Sequence, residues 1–134
     1  MDTKNYTVLV IEDEQLLLEA IARKLKFNGL SVIPVARGDE ALKILSESEK
    51  LPDVIWLDYY LSDMNGLEFM NNIRKNDKLV GIPTIVVSNS ASDEKVNNML
   101  ALGVKKYYLK AENRLDEIIK FVKEFVEKQR NEKS

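Results

Sequence analysis

Along this chain, short runs of large apolar residues alternate with longer stretches in which apolar positions recur every three or four residues. Tyr6-Thr7-Val8-Leu9-Val10-Ile11 is β-rich and almost unbroken, the pattern of a strand covered on both faces. Leu17, Ala20, Ile21 and Leu25 then recur at helical spacing, and Asn28-Gly29 supplies a helix stop. Leu30 to Val35 reads as a second strand. Pro34 within it cannot donate to a ladder on both sides, which predicts an edge position. Asp39 to Leu45 gives a short helix with Ala41, Leu42 and Leu45 inward, and Pro52 introduces a third strand, Val54 to Leu57. The spacing predicts a third helix over Asn65 to Lys75, with Asn65 and Glu68 at capping-box positions and Phe69, Met70 and Ile73 buried. Pro83 opens a fourth strand, Thr84 to Val87. A fourth helix from Ser92 to Leu102 can be capped by Ser90 or Ser92 and closed by Gly103. Val104 to Leu109 makes a fifth strand. A last helix from Asn113 carries Leu115, Ile118, Val122 and Phe125 on one stripe, widened by Ile119 and Val126.

Five strand-then-helix repeats predict an α/β fold: a doubly wound parallel sheet with right-handed crossovers and helices on both faces. A chain of 134 residues fits one domain, residues 1–134. With no Gly/Ser-rich linker, no separate output domain is expected, and the polar residues from about 128 to 134 are expected to be a frayed tail. The heptad-like stripe of the last helix is explained more simply by burial against its own sheet than by a dimer contact.

Composition narrows the chemistry. There is no cysteine and no histidine, which removes thiolate metal sites, the usual general base and any phosphohistidine role. Net charge is −2, so no basic field favours nucleic acid. The apolar runs fall well short of the ~20 residues that cross a bilayer. The expectation is a cytoplasmic protein that touches neither membrane nor DNA.

In an open parallel sheet, ligands bind beyond the carboxyl ends of the strands. The residues just past the apolar runs are Glu12, Asp13 and Glu14 after the first, Asp58 after the third, Ser88 after the fourth and Lys110 after the fifth. Taken singly, each has a plain explanation: acids suit a helix N-terminus, a serine suits a turn, and a lysine suits solvent. Jointly, at one predicted rim, they form a site. Carboxylates without nitrogen or sulfur donors suit Mg²⁺, which keeps waters and pairs with phosphate oxygens. A lysine and a hydroxyl can hold the other oxygens of a transferring phosphoryl group. Asp58, alone and central after Val54-Ile55-Trp56-Leu57, is the candidate nucleophile for an aspartyl phosphate.

These residues resemble the receiver domain of two-component response regulators, the CheY-like family, over residues 5 to 127. The resemblance rests on Val10-Ile11-Glu12-Asp13-Glu14, on Leu57-Asp58 followed by Met64-Asn65-Gly66, and on Ser88, Tyr107 and Lys110. It implies a flavodoxin-like (βα)5 sheet of strand order 2-1-3-4-5. It implies that Glu12, Asp13, Asp58 and the backbone carbonyl of Tyr60 organise Mg²⁺, and that Asp58 accepts a phosphoryl group from a sensor histidine kinase or phosphotransfer protein. Lys110 and Ser88 would hold its oxygens. Ser88 and Tyr107 would then switch the surface of the fourth helix, fifth strand and fifth helix toward a downstream protein, in a monomer or a phosphorylation-dependent dimer. On this reading the chain is a signalling phosphoprotein, not an enzyme beyond its own phosphorylation and dephosphorylation.

The chain departs from the family's pattern in four places. Ser62 stands where proline is usual, which is expected to loosen the loop after Asp58. Ala111 replaces the proline after Lys110; a cis bond there costs roughly 3 kcal/mol more than trans, so either the bond is trans with Lys110 repositioned or strain is retained. Asn89 and Tyr60 are bulky beside the acceptor, which predicts slow access of water and a long-lived phosphoryl group. Tyr107-Tyr108 offers two candidate switch rings.

Other readings weigh less. A dehalogenase-like phosphatase wants a second acid two residues after the first, where this chain has Tyr60. A flavin module wants a phosphate loop where Glu12-Asp13-Glu14 would repel phosphate. A degenerate receiver used only for docking is the remaining alternative.

Overall fold

The computed structural model describes residues 6–133. Five strands and five helices alternate: β1 (Thr7–Ile11), α1 (Gln15–Phe27), β2 (Ser31–Val35), α2 (Gly38–Glu47), β3 (Val54–Asp58), α3 (Gly66–Arg74), β4 (Thr84–Ser88), α4 (Asp93–Ala101), β5 (Lys106–Leu109) and α5 (Leu115–Lys133). The strands form one parallel sheet in the order β2-β1-β3-β4-β5. Pro34 lies on the edge strand, opposite Val10, as its missing N–H requires.

Strand alternation sends side chains to two separate cores. Val8, Val10, Trp56, Ile85 and Val87 meet Leu18, Ile21 and Leu25 of α1 and Ile118, Val122 and Val126 of α5. On the other face Leu9, Ile11, Ile55, Leu57 and Val86 meet Leu45 of α2, Phe69, Met70 and Ile73 of α3, and Met99 of α4. The central strand β3 is buried throughout, so only its carboxyl end can present a functional group.

Among the boundaries that differ from expectation, the starts of β2 and β5 do so for one reason. At the end of α1 the Leu30 N–H donates to Leu25 O (3.1 Å) and the Gly29 N–H to Lys26 O (3.0 Å); at the end of α4 the Val104 N–H donates to Met99 O (3.1 Å) and the Gly103 N–H to Leu100 O (3.0 Å). Both are Schellman closures around a glycine of positive φ, 84° at Gly29 and 99° at Gly103. Each closure takes the N–H of the apolar residue that the pattern assigns to the next strand, so β2 begins at Ser31 and β5 at Lys106. The polar tail is part of the last helix. α5 continues to Lys133, its Lys, Glu, Gln and Arg residues being good helix formers, and the Arg130 guanidinium stacks over the Tyr6 ring at 4.1 Å. Ser134 lies outside the described residues.

Candidate functional site

The carboxyl ends of β1, β3, β4 and β5 bring the predicted residues to one rim. Glu12 follows β1 and is fixed by its backbone, whose N–H donates to Val35 O (3.0 Å); its side chain is 2% exposed. Asp58 ends β3 and is 6% exposed. Carboxylate oxygens of Glu12, Asp13 and Asp58 all lie within 4.8 Å of one another, with Asp13 exposed on the solvent side. Glu14, also an acid of that run, is exposed and donates its N–H to Glu12 Oε2 (3.1 Å).

Lys110 enters from the end of β5. Its backbone N–H donates to Ser88 O (2.8 Å), and its Nζ donates to Glu12 Oε1 (2.9 Å) and sits 3.5 Å from Asp58 Oδ2. The Lys110–Ala111 bond is trans, as are all peptide bonds among the described residues, and the lysine still reaches both acids. The alternative of retained cis strain is therefore set aside. Ser88 is fully buried and its Oγ accepts from the Ser90 N–H (3.4 Å).

Burial dominates the electrostatics. It pushes the Asp58 carboxyl up to about 7, assisted by the negative charge of Glu12 and opposed by Lys110. Lys110 is drawn down by burial, the largest single effect, but Glu12 and Asp58 together hold it above its usual value. Like charges held this close attract a cation. The donor set is all oxygen, with one exposed ligand giving access, so the residues fit a hard divalent ion such as Mg²⁺.

The loop after β3 is a small closed hairpin. The Tyr60 N–H donates to Asp58 Oδ1 (3.4 Å), Tyr60 pairs with Asn65 in an antiparallel bridge, the Leu61 N–H donates to Met64 O (3.1 Å) and the Gly66 N–H to Tyr59 O (2.6 Å). Asn65 Oδ1 then accepts from the Glu68 N–H (2.9 Å), capping α3. Ser62 thus sits at the tip of a tied loop rather than a loosened one.

Sequence reasoning missed two residues. Lys95, on the first turn of α4, hydrogen-bonds the Tyr60 hydroxyl and places Nζ 4.8 Å from the Tyr59 ring centre and 4.4 Å from that of Tyr60. Nothing in its sequence neighbourhood signals this. Asp63 accepts from the Gly38 and Asp39 N–H groups at the start of α2, and no local sequence rule pairs it with that helix. Of the tyrosine pair, Tyr108 packs in the core against Phe121 (6.0 Å), whereas Tyr107 is half-buried at the rim and donates its hydroxyl to Ser90 O (2.8 Å).

Comparison with known proteins agrees with this architecture. The family model of the response regulator receiver domain matches residues 8–123. The sensor histidine kinase CheAY of Helicobacter pylori is 28% identical over 106 residues, covering 79% of this chain and 13% of that protein. The two-component response regulator ORR8 of rice (Oryza sativa subsp. indica) is 30% identical over 103 residues, covering 77% and 84%. The receiver domain of the Francisella response regulator 1452 superposes with a TM-score of 0.80 at 28% identity, covering 93% of this chain and 98% of that one. The chain belongs to the response regulator receiver family, whose members act in two-component signalling. It spans less than half the length of several bacterial relatives. No described helix is long and apolar enough to cross a membrane.

Proposed function

We propose that this receiver domain takes a phosphoryl group onto Asp58 and reports it through the face formed by α4, β5 and α5. The observation that supports this most is convergence: three strands that are far apart in sequence bring Glu12 and Asp58 within 2.9 and 3.5 Å of Lys110 Nζ and, with Asp13, within 4.8 Å of one another. In the transfer an Asp58 oxygen attacks the phosphorus of a phosphohistidine on a sensor histidine kinase or phosphotransfer protein. A P–O bond forms as the P–N bond breaks, and the imidazole leaves carrying a proton. Glu12, Asp13, Asp58 and the Tyr60 carbonyl would hold Mg²⁺, which when bound would supply positive charge for the phosphoryl oxygens. Lys110 exchanges its pairing with Glu12 and Asp58 for a phosphoryl oxygen, and the Ser88 hydroxyl donates to another. Drawing Ser88 inward removes the Ser90 N–H from its acceptor, and Ser90 O is what holds the Tyr107 hydroxyl. Tyr107 is released by that step, and the surface around it repacks.

Incubation with acetyl phosphate and Mg²⁺, followed by intact-mass measurement, tests the reading. One phosphoryl adduct is expected, absent from Asp58→Asn. An adduct that survives the substitution removes Asp58 from its role; a wild-type chain that takes none points instead to a docking module.

A further inference from the structure

Helix α2 begins without a cap of its own. The residue at its N-cap is Arg37, extended at φ −135° and ψ 146°, and its side chain makes no capping hydrogen bond. The first N–H groups of a helix need acceptors from outside it. Here the Ala41 N–H has Arg37 O (3.2 Å) and the Glu40 N–H has Asp39 Oδ1 (2.7 Å). The remaining two are met from another part of the chain: the Gly38 N–H donates to Asp63 Oδ1 (3.0 Å) and the Asp39 N–H to Asp63 Oδ2 (2.8 Å). Arg37 Nη2 stands 4.0 Å from the same carboxylate, whose side chain is 9% exposed.

Asp63 lies at the tip of the hairpin whose base carries Asp58 and Tyr60. A second, independent contact fixes the same tip to the same helix end. A Cβ on Gly38 would lie 2.6 Å from Met64 Sδ and 2.7 Å from its Cγ, so the loop residue beside Asp63 rests directly on the backbone of α2. Loop and helix are thus joined by two hydrogen bonds from backbone N–H groups to the Asp63 carboxylate and by a close apolar contact. This is the tie that stands in for the ring constraint a proline at position 62 would give.

We propose that Asp63 is a positioning residue for the metal site: by capping α2 from the loop tip it holds the hairpin base, and with it the Tyr60 carbonyl, in the place from which that carbonyl ligates the ion. The inference rests on the Mg²⁺ reading above and deepens it. Asp63 touches neither ion nor phosphoryl group; it acts through the loop. Partners of this kind, one step removed from the ligands, commonly change metal affinity by about tenfold or more when lost.

A plain cap and a positioning cap are distinguishable, because α2 can be given a cap of its own. Arg37 already has the extended backbone of an N-cap, so Arg37→Asn supplies an acceptor to the helix without tying the loop. Mg²⁺ alone is titrated into the whole chain by calorimetry, at roughly 0.5 M KCl to screen the lost charge of Asp63. The melting temperature is recorded alongside. Asp63→Ala is expected to lower the melting temperature and weaken Mg²⁺ binding about tenfold. Adding Arg37→Asn to it is expected to restore the melting temperature and leave Mg²⁺ binding weak. Where Asp63→Ala alone does not fold, the double variant carries the same comparison. Mg²⁺ affinity unchanged in Asp63→Ala, or recovered together with stability in the double variant, reduces Asp63 to a helix cap. A wild-type chain that binds no Mg²⁺ overturns the metal reading itself, and this inference with it.

Discussion

The rim at the carboxyl end of the sheet has two halves that obey different physics. In the inner half Glu12 and Asp58 are buried, Lys110 is half-buried, and the charges are paired at 2.9 and 3.5 Å. The outer half, Tyr60, Ser90, Lys95 and the Tyr107 hydroxyl, sits in or near water and is joined by side-chain contacts between the loops after β3 and β4 and the first turn of α4. Burial makes charge costly, so the inner half stores electrostatic free energy that a cation or a phosphoryl group can release. The outer half is screened, contributes little to stability, and is free to set rates.

The largest expected effect is therefore at Asp58. Its folded value, about 7, lies above the ordinary carboxylate value. A raised acid binds its proton more tightly in the folded chain, so the unfolded chain holds fewer protons between about pH 4 and pH 7 and stability falls as pH rises across that window. Above pH 7 both forms are ionised and the loss is complete. Asp58→Asn removes this penalty. After discounting for water on the Asp13 side, the metal-free protein gains about 2 kcal/mol at pH 8, a rise of roughly 8 °C in melting temperature, and the gain shrinks toward zero near pH 4. Mg²⁺ should stabilise the wild-type chain more at pH 8 than at pH 5.5, for the same reason. Thermal melts of both proteins with and without Mg²⁺ check this. A gain that does not vary with pH would mean Asp58 is not held at a cost.

The tie from Asp63 to α2 belongs to neither half. It carries no buried charge pair, so its effect on folding is that of a helix cap: Asp63→Ala costs about 1 kcal/mol, roughly 4 °C. Thermal melts of Asp63→Ala beside the wild-type chain check this; an unchanged melting temperature would mean that the cap adds nothing to stability.

The inner half was legible in the sequence because each of its residues directly follows a strand, and strand order plus polarity alone bring strand ends together. Glu12, Asp58, Ser88 and Lys110 needed no knowledge of side-chain direction. Edge placement of β2 was legible for an equally local reason, the missing N–H of Pro34. The outer half was not. Lys95 reaches Tyr60 from a helix 35 residues away, and its spacing within that helix is that of any solvated lysine. Asp63 caps a helix that begins 25 residues earlier, and no local rule assigns a cap across such a gap. The starts of β2 and β5 were misjudged because periodicity counts an apolar residue toward a strand even when its N–H closes the preceding helix.

The smallest effect on stability belongs to the outer half, and there the effect on rate should be clearest. The Tyr60 ring packs edge-on against Tyr59 at 4.8 Å and its hydroxyl is held by Lys95, so the side chain links the loop after β3 to the first turn of α4. That hydrogen bond draws the Tyr60 hydroxyl below its usual value, and the same bond raises Lys95, so each favours the charged or donating form that holds the other. On the proposed reading, water that attacks an aspartyl phosphate at Asp58 is expected to pass the exposed Tyr60 and Asn89 side chains. Tyr60→Asn combined with Asn89→Ala should shorten the phosphoryl lifetime severalfold with no measurable change in melting temperature. Lys95→Ala frees the ring without removing it and should shorten the lifetime less. Decay of the phosphoryl adduct, followed by intact mass after acetyl phosphate is removed, reads both. If the double variant decays at the wild-type rate, the outer half does not govern water's approach, and the contrast between the two halves reduces to one of stability alone.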